Sequence, residues 1–318
     1  MRTIKYLSPT SLNTYETDPH AFFYNYLADT RLPREPQTPA MAVGSSFDAF
    51  VKHELYKAIF GKVDDQFEFD TLFESQVEKH NRDEVKEIGQ YLFDGYKKVG
   101  AYDELLEDIL KGESARFEFL VKREVEGVNL LGKPDCLYTR HDGKRVLLDW
   151  KVNGYFSKYT TSPAKNYKKV WDTWNEETAK PSRNNGKAHK NYSPKLIGDY
   201  EIGATPFEEG GKQWADQLCI YAWVLKEPVG TDVIVAVDQL ACKPSSPRPL
   251  VRVAQHRGQL SKLYQNTLLH RLQTAWNNIQ NGHIFMDMSK EENDQELENL
   301  NKAATLMDNN ELFKALKF

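Results

Sequence analysis

Residues 115–152 hold three segments rich in strand-forming residues, "ARFEFLVKREVEG", "VNLLGKPDCLYTR" and "KRVLLDWKV". The turn between the last two, His141-Asp142-Gly143, constrains the fold more than any other feature. With Gly143 in the left-handed conformation it is a three-residue hairpin loop, which sets residue 140 opposite 144. The same register places Asp135 opposite Asp149. A two-residue Asp142-Gly143 turn would slip the pairing by one position and carry Asp149 to the other face. Side chains alternate along a strand, so Asp149 and Lys151 share a face, about 6.6 Å apart, while Leu148 and Trp150 enter the core behind them.

Two facing carboxylates repel unless something lies between them. A divalent cation is the natural occupant, since Mg²⁺ takes carboxylate oxygens together with waters and substrate phosphate. A lysine beside it can hold an attacking water, help deprotonate it and offset charge on the reacting phosphate. Asp135, Asp149 and Lys151 therefore supply the parts for metal-assisted phosphodiester hydrolysis. The spacing alone does not separate this from an ordinary ion pair on a half-buried strand.

The rest of the chain supplies helices on either side. "LSPTSLNTYE" has Ser8 as N-cap and Pro9 at the first helical position, and "TDPHAFFYNYLAD" repeats the device with Asp18 and Pro19. A proline-broken loop over 31–41 leads to a helix from about Gly44, and residues 71–111 read as helical. After the hairpin and a long polar stretch come the helix "KQWADQLCIYAWVLK", the strands "TDVIVAVDQLAC" and "PLVRVAQHR", a helix from about 258 to 281, and an acidic helical tail. This order predicts an α/β layer fold on a mixed sheet. Lys and Arg number 42 against 46 Asp and Glu, a net charge of −4, so an anionic partner must be met by a local basic surface. Cys136, Cys219 and Cys242 have no metal-ligand spacing, which points to a reducing, cytoplasmic setting. No apolar run approaches the roughly 20 residues of a membrane span.

"KPD" followed after a turn by "LDWK" resembles the PD-(D/E)xK nuclease superfamily, in its RecB-like and phage-exonuclease branch. The opening "SPTSLNTYETDPHAFFYNYL" is similar to that branch's amino-terminal pattern. "GSSFD" resembles its Gly-x-x-x-His element and "QLCIY" its Gln-x-x-x-Tyr element. The resemblance implies a restriction-endonuclease-like mixed β-sheet core flanked by helices, and Mg²⁺- or Mn²⁺-dependent cleavage of DNA in recombination, repair or phage DNA processing, with an exonuclease favoured. It makes Asp135 and Asp149 metal ligands and Lys151 the catalytic lysine, with Gln217 and Tyr221 supporting the site or touching DNA. Where the family often has His, this chain has Asp48, itself a good ligand for a hard cation. His53, further along the same helix, is read as unrelated to the site. The cysteines of the iron–sulfur members are absent, so no iron–sulfur cluster is expected.

These readings divide the chain into an N-terminal helical region (1–111), a nuclease core (112–285) with an insertion at 153–211, and an acidic helical tail (286–318) read as a solvated helix face. Between Tyr155 and Lys195 nine Lys or Arg stand against three acids, interleaved with Tyr155, Tyr159, Tyr167, Trp171, Trp174 and Tyr192. Cations there, Lys168 and Lys169 among them, would neutralise phosphates while aromatic faces stack unpaired bases. "KKVWDTWNEE" reads as a short helix within this insertion. DNA, single-stranded or as duplex ends, is thus the expected partner, with a recombination or replication protein as a second. The competing reading is a catalytically inactive nuclease-fold protein that binds DNA or assembles with others. Nothing in the sequence separates deoxyribose from ribose.

Overall fold

The amino-terminal helices begin where a polar side chain precedes a proline, because proline at the first helical position sacrifices no hydrogen bond. In the computed structural model, which describes residues 1–31, 34–153, 170–172, 206–209, 211–227, 233–242 and 251–309, Ser8 caps α1 (Pro9–Thr17) by accepting from the Ser11 N–H at 3.1 Å. Asp18 caps α2 (Pro19–Phe22) at 2.9 Å, and a π-helical turn, Phe23–Leu27, continues it. Thr38 and Pro39 use the device again, so α3 (Pro39–Phe60) starts ahead of the expected Gly44, inside the supposed loop. α4 (Phe69–Gln76), α5 (Arg82–Lys98) and α6 (Ala101–Lys111) complete this helical part.

Where the sequence suggested three strands there are five. Glu118, at φ 51°, breaks the first segment into β1 (Glu113–Phe117) and β2 (Val121–Val125). Pro134 lies between β3 (Val128–Gly132) and β4 (Cys136–Thr139). β2 and β3 form a separate antiparallel ribbon. β5 (Arg145–Asn153) and β6 (Val170–Asp172) follow, then α7 (Lys212–Val224), β7 (Val233–Cys242), β8 (Val251–Gly258), α8 (Lys262–Gln280) and α9 (Lys290–Asn309).

The main sheet has the order β1-β4-β5-β7-β8-β6, with β5 and β7 parallel and the other pairs antiparallel. It is the mixed, helix-flanked sheet expected. β6 corrects one expectation: residues 170–172 of "KKVWDTWNEE" pair with β8 instead of turning as a helix. The rest of 154–205, including Lys168 and Lys169, lies outside the described residues.

The hairpin register is the one derived from its turn. Cys136 pairs with Leu148 and Thr139 with Arg145. The Arg140 N–H donates to the Lys144 carbonyl at 2.8 Å, and Gly143 has φ +80°.

Each face of the sheet is buried. Leu148 and Trp150 join α3, α5 and α6 in one apolar cluster. Leu147, Val235 and Val237 join α1, α2, α7, α8 and α9 in the other. α9 is more than a solvated acidic helix, because Leu297, Leu300 and Ala304 are buried there. A buried leucine contributes about 1.5–3 kcal/mol. Buried Asn293 also accepts from the Ile284 and Phe285 N–H groups, at 2.8 and 3.1 Å, and so fixes the loop before the helix. Among the described residues no helix is long and apolar enough to cross a membrane.

Candidate active site

β5 delivers the first pair of charged groups. Lys151 Nζ lies 2.5 Å from Asp149 Oδ2, and Asp149 is almost fully buried. α7 approaches the same carboxylate with Gln217 and Tyr221, which share a helix face because they are four apart. Gln217 Nε2 donates to Asp149 Oδ1 at 2.8 Å and to Tyr221 Oη at 3.1 Å. Gly132 makes this approach possible, since a Cβ there would stand 2.8 Å from a Tyr221 ring carbon.

Asp135 immediately precedes β4, and its Oδ2 accepts from the Trp150 N–H at 3.1 Å. The pairing of Phe117 with Cys136 sets Glu118 beside Asp135, and the Glu118 N–H donates to the Asp135 carbonyl at 3.2 Å. Glu118, Asp135 and Asp149 thus stand in a row across three neighbouring strands. α3 adds Asp48, and one turn later Lys52.

Lys52 is completely buried. Its ammonium lies 2.6 Å from Asp48 Oδ2 and 3.0 Å from Asp135 Oδ1, and it also pairs with Glu118 Oε1. Lys133, half-exposed, pairs with the other Glu118 oxygen. Carboxylate oxygens of Asp48, Glu118 and Asp135 lie within 4.8 Å of one another, the kind of group that can hold a metal ion.

Electrostatics separate the acids. Burial pushes Asp48 up to about 7, reinforced by Asp135 and Glu118 and opposed by Lys52. Burial likewise pushes Asp149 up to about 7, against the pull of Lys151. Asp135 goes the other way: burial opposes ionisation, but Lys52 and Lys151 outweigh it and hold the carboxyl below its ordinary value. For Lys151 burial favours the neutral amine, yet Asp149 and Asp135 prevail and raise it, so the side chain is an ammonium.

Six residues proposed from the sequence therefore gather at one place: Asp48, Asp135, Asp149, Lys151, Gln217 and Tyr221. His53 turns elsewhere, its Nδ1 3.0 Å from the Phe67 carbonyl. Glu118, Lys52 and Lys133 went unnoticed. Glu118 could have been found by extending the hairpin register one strand outward. Lys52, at the i+4 position from Asp48, looks in sequence like one half of a surface helix pair.

The donor set suits a hard divalent cation: all oxygen, mostly buried, and richer in acids than in cations. Four carboxylates against the ammonium groups of Lys52, Lys151 and Lys133 leave one negative charge.

The family model of the PD-(D/E)XK nuclease superfamily matches residues 6–169. No curated protein matches the chain in sequence. Among solved structures, a Eubacterium rectale protein provisionally named an exonuclease is 14% identical, with 88% of this chain and 82% of that one covered and a TM-score of 0.40. A second, SSO0001, is 12% identical over 87% of each chain, with a TM-score of 0.26.

Proposed function

This chain belongs to the PD-(D/E)XK nuclease superfamily, and on that footing we propose that it is a Mg²⁺- or Mn²⁺-dependent deoxyribonuclease, with Asp48, Asp135 and Asp149 as metal ligands and Lys151 as catalytic lysine. The observation that carries this reading is the convergence of four carboxylates, those of Asp48, Glu118, Asp135 and Asp149, around one buried ammonium, Lys52, and two that are more exposed, Lys151 and Lys133. Such an excess of buried acid is costly on its own and is relieved by a cation.

The chain's own groups divide the work. Gln217 holds Asp149 by one oxygen, and Tyr221 accepts the second Gln217 proton, so the carboxylate is oriented before any ligand arrives. The Trp150 N–H does the same for Asp135. The Lys151 side chain keeps 29% of its surface open to solvent. As an ammonium it can donate to an attacking water or to a phosphoryl oxygen, which orients the first and neutralises the second. A bound divalent ion would supply Lewis acidity at the scissile phosphate and a more acidic water.

DNA as substrate follows from the family, and the preference for an exonuclease rests on the amino-terminal pattern and the Gln217–Tyr221 pair. The basic, aromatic segment 155–195 is our choice for the surface that holds the strand, with Lys168 and Lys169 on phosphates. Action in recombination, repair or phage DNA processing, beside a recombination or replication protein and in the cytoplasm, completes the reading.

The test is a time course with Mn²⁺ on end-labelled linear and closed-circular DNA, comparing wild type with Lys151→Ala. Cleavage by wild type alone, sparing the circle, is expected. Cleavage of both forms would make it an endonuclease. No cleavage by either protein would favour a DNA-binding module that keeps the nuclease fold.

A further inference from the structure

We propose that Lys52 is a permanent internal cation that fills one of two cation positions in the site, so that the chain binds a single divalent ion. This rests on the metal-dependent reading above and adds a role to a residue outside the Asp135, Asp149 and Lys151 trio.

The geometry is specific. An ammonium has three N–H donors and no acceptor. Each Lys52 donor meets a different carboxylate, those of Asp48, Glu118 and Asp135. The side chain has no exposed surface, and the Trp150 ring lies 5.9 Å from the nitrogen. The three oxygens that Lys52 binds belong to the same three residues that could otherwise hold a metal. An ion entering there would have to expel a buried, fully bonded ammonium, and breaking a buried pair is strongly unfavourable.

A second position lies on the other side of Asp135, where an ion would draw on Asp135 and Asp149, with Asp48 offering only the oxygen that Lys52 does not bind. Asp135 Oδ1 is committed to Lys52, whereas Oδ2 faces the start of the Asp149–Lys151 stretch through the Trp150 N–H. Asp135 is near enough to Asp149 to disfavour its charge. The charge count favours one ion. With Lys52 in place, four carboxylates meet the ammonium groups of Lys52, Lys151 and Lys133 and leave one negative charge. One divalent ion more than offsets it, and two would leave a large excess of positive charge.

Mn²⁺ binding by calorimetry, with paramagnetic resonance of the free ion as a check, tests this on wild type, Lys52→Met and Glu118→Gln. One ion per chain in wild type and two in Lys52→Met are expected. Glu118 serves Lys52 instead of the ion, so Glu118→Gln should keep one ion and lose less than about tenfold in affinity, or 1.4 kcal/mol. The same count, whether one or two, in wild type and Lys52→Met would overturn the role of Lys52 and leave the metal site standing. No ion in wild type and one in Lys52→Met would mean that Lys52 fills the sole position, and would overturn the proposal. No ion in either would bring down the metal-dependent reading itself. Should Lys52→Met fail to fold, Glu118→Gln decides: a loss beyond tenfold would make Glu118 a metal ligand and Lys52 a displaceable occupant.

Discussion

Two buried charge clusters sit on adjacent strands of one sheet, and they are built on opposite plans. On β7, Asp238 stands beside Trp150 in the register and is fully buried. It accepts from the Tyr96 hydroxyl and faces Arg257 Nη1 at 2.6 Å. One carboxylate and one guanidinium cancel in charge there, with one phenol as a further donor. On the neighbouring strands the site gathers four carboxylates around three ammonium groups. Burial of charge therefore does not distinguish a reactive place from a structural one in this molecule. Imbalance does, because the first cluster is complete and the second still calls for positive charge.

Four substitutions or conditions would break or sharpen that contrast. Asp149→Asn should lower cleavage on the order of a thousandfold or more, since it removes a carboxylate that would hold the divalent ion. Its circular dichroism and melting should stay near wild type, and retained cleavage would remove Asp149 from the site. Arg257→Leu should act on stability instead. It strands Asp238 as a buried, unpaired charge, at a cost of about 3–5 kcal/mol, visible in chemical denaturation, while folded molecules keep cutting. Loss of cleavage without loss of stability would reverse the roles of the two clusters.

A smaller effect is expected from pH. Asp48 and Asp149 titrate near 7 in the folded, metal-free protein, above the ordinary 3.8, chiefly because they are buried. Between those values the folded state holds protons that the unfolded chain has released. The metal-free protein should therefore gain stability as pH falls from 8 toward 5, and lose it as pH rises through 7. Mn²⁺ must displace those protons, so its affinity should fall below pH 7 by up to about tenfold per unit for each. Melting temperatures with and without Mn²⁺ would show the two opposite trends, and a flat profile in both would refute the assignment. Smallest of all, Gly132→Ala should press on the Tyr221 ring and cost about 1–3 kcal/mol, with a severalfold slower rate from a disturbed Gln217.

Much of this site was legible because a single turn determined it. Three residues, His141 to Gly143, set the register that puts Asp135 beside Asp149, and strand alternation then sorted Lys151 from Trp150. What stayed hidden had no local signal. Glu118 adopts a left-handed φ of 51° with no glycine to announce it, so "ARFEFLVKREVEG" reads as one strand instead of two. Lys52 is indistinguishable in sequence from an exposed helical lysine, because its burial comes from Glu118 and Asp135, 66 and 83 residues away. The amino-terminal caps were legible for the opposite reason, as Ser8 and Asp18 act on backbone three residues on. Thr38 was missed only because the prolines around it looked like a loop.

The seating of α9 bears on how the molecule is made. Leu7 and Ala304 belong to one apolar cluster, Asn301 Nδ2 donates to Asp29 at 2.8 Å, and the amino terminus pairs with the same Asp29. Contacts spanning nearly 300 positions close late and slowly, since loop entropy must be overcome before they stabilise anything. α9 seats on the π-helical turn Phe23–Leu27, so the amino-terminal helices gain this clamp only once residues 290–309 have been made.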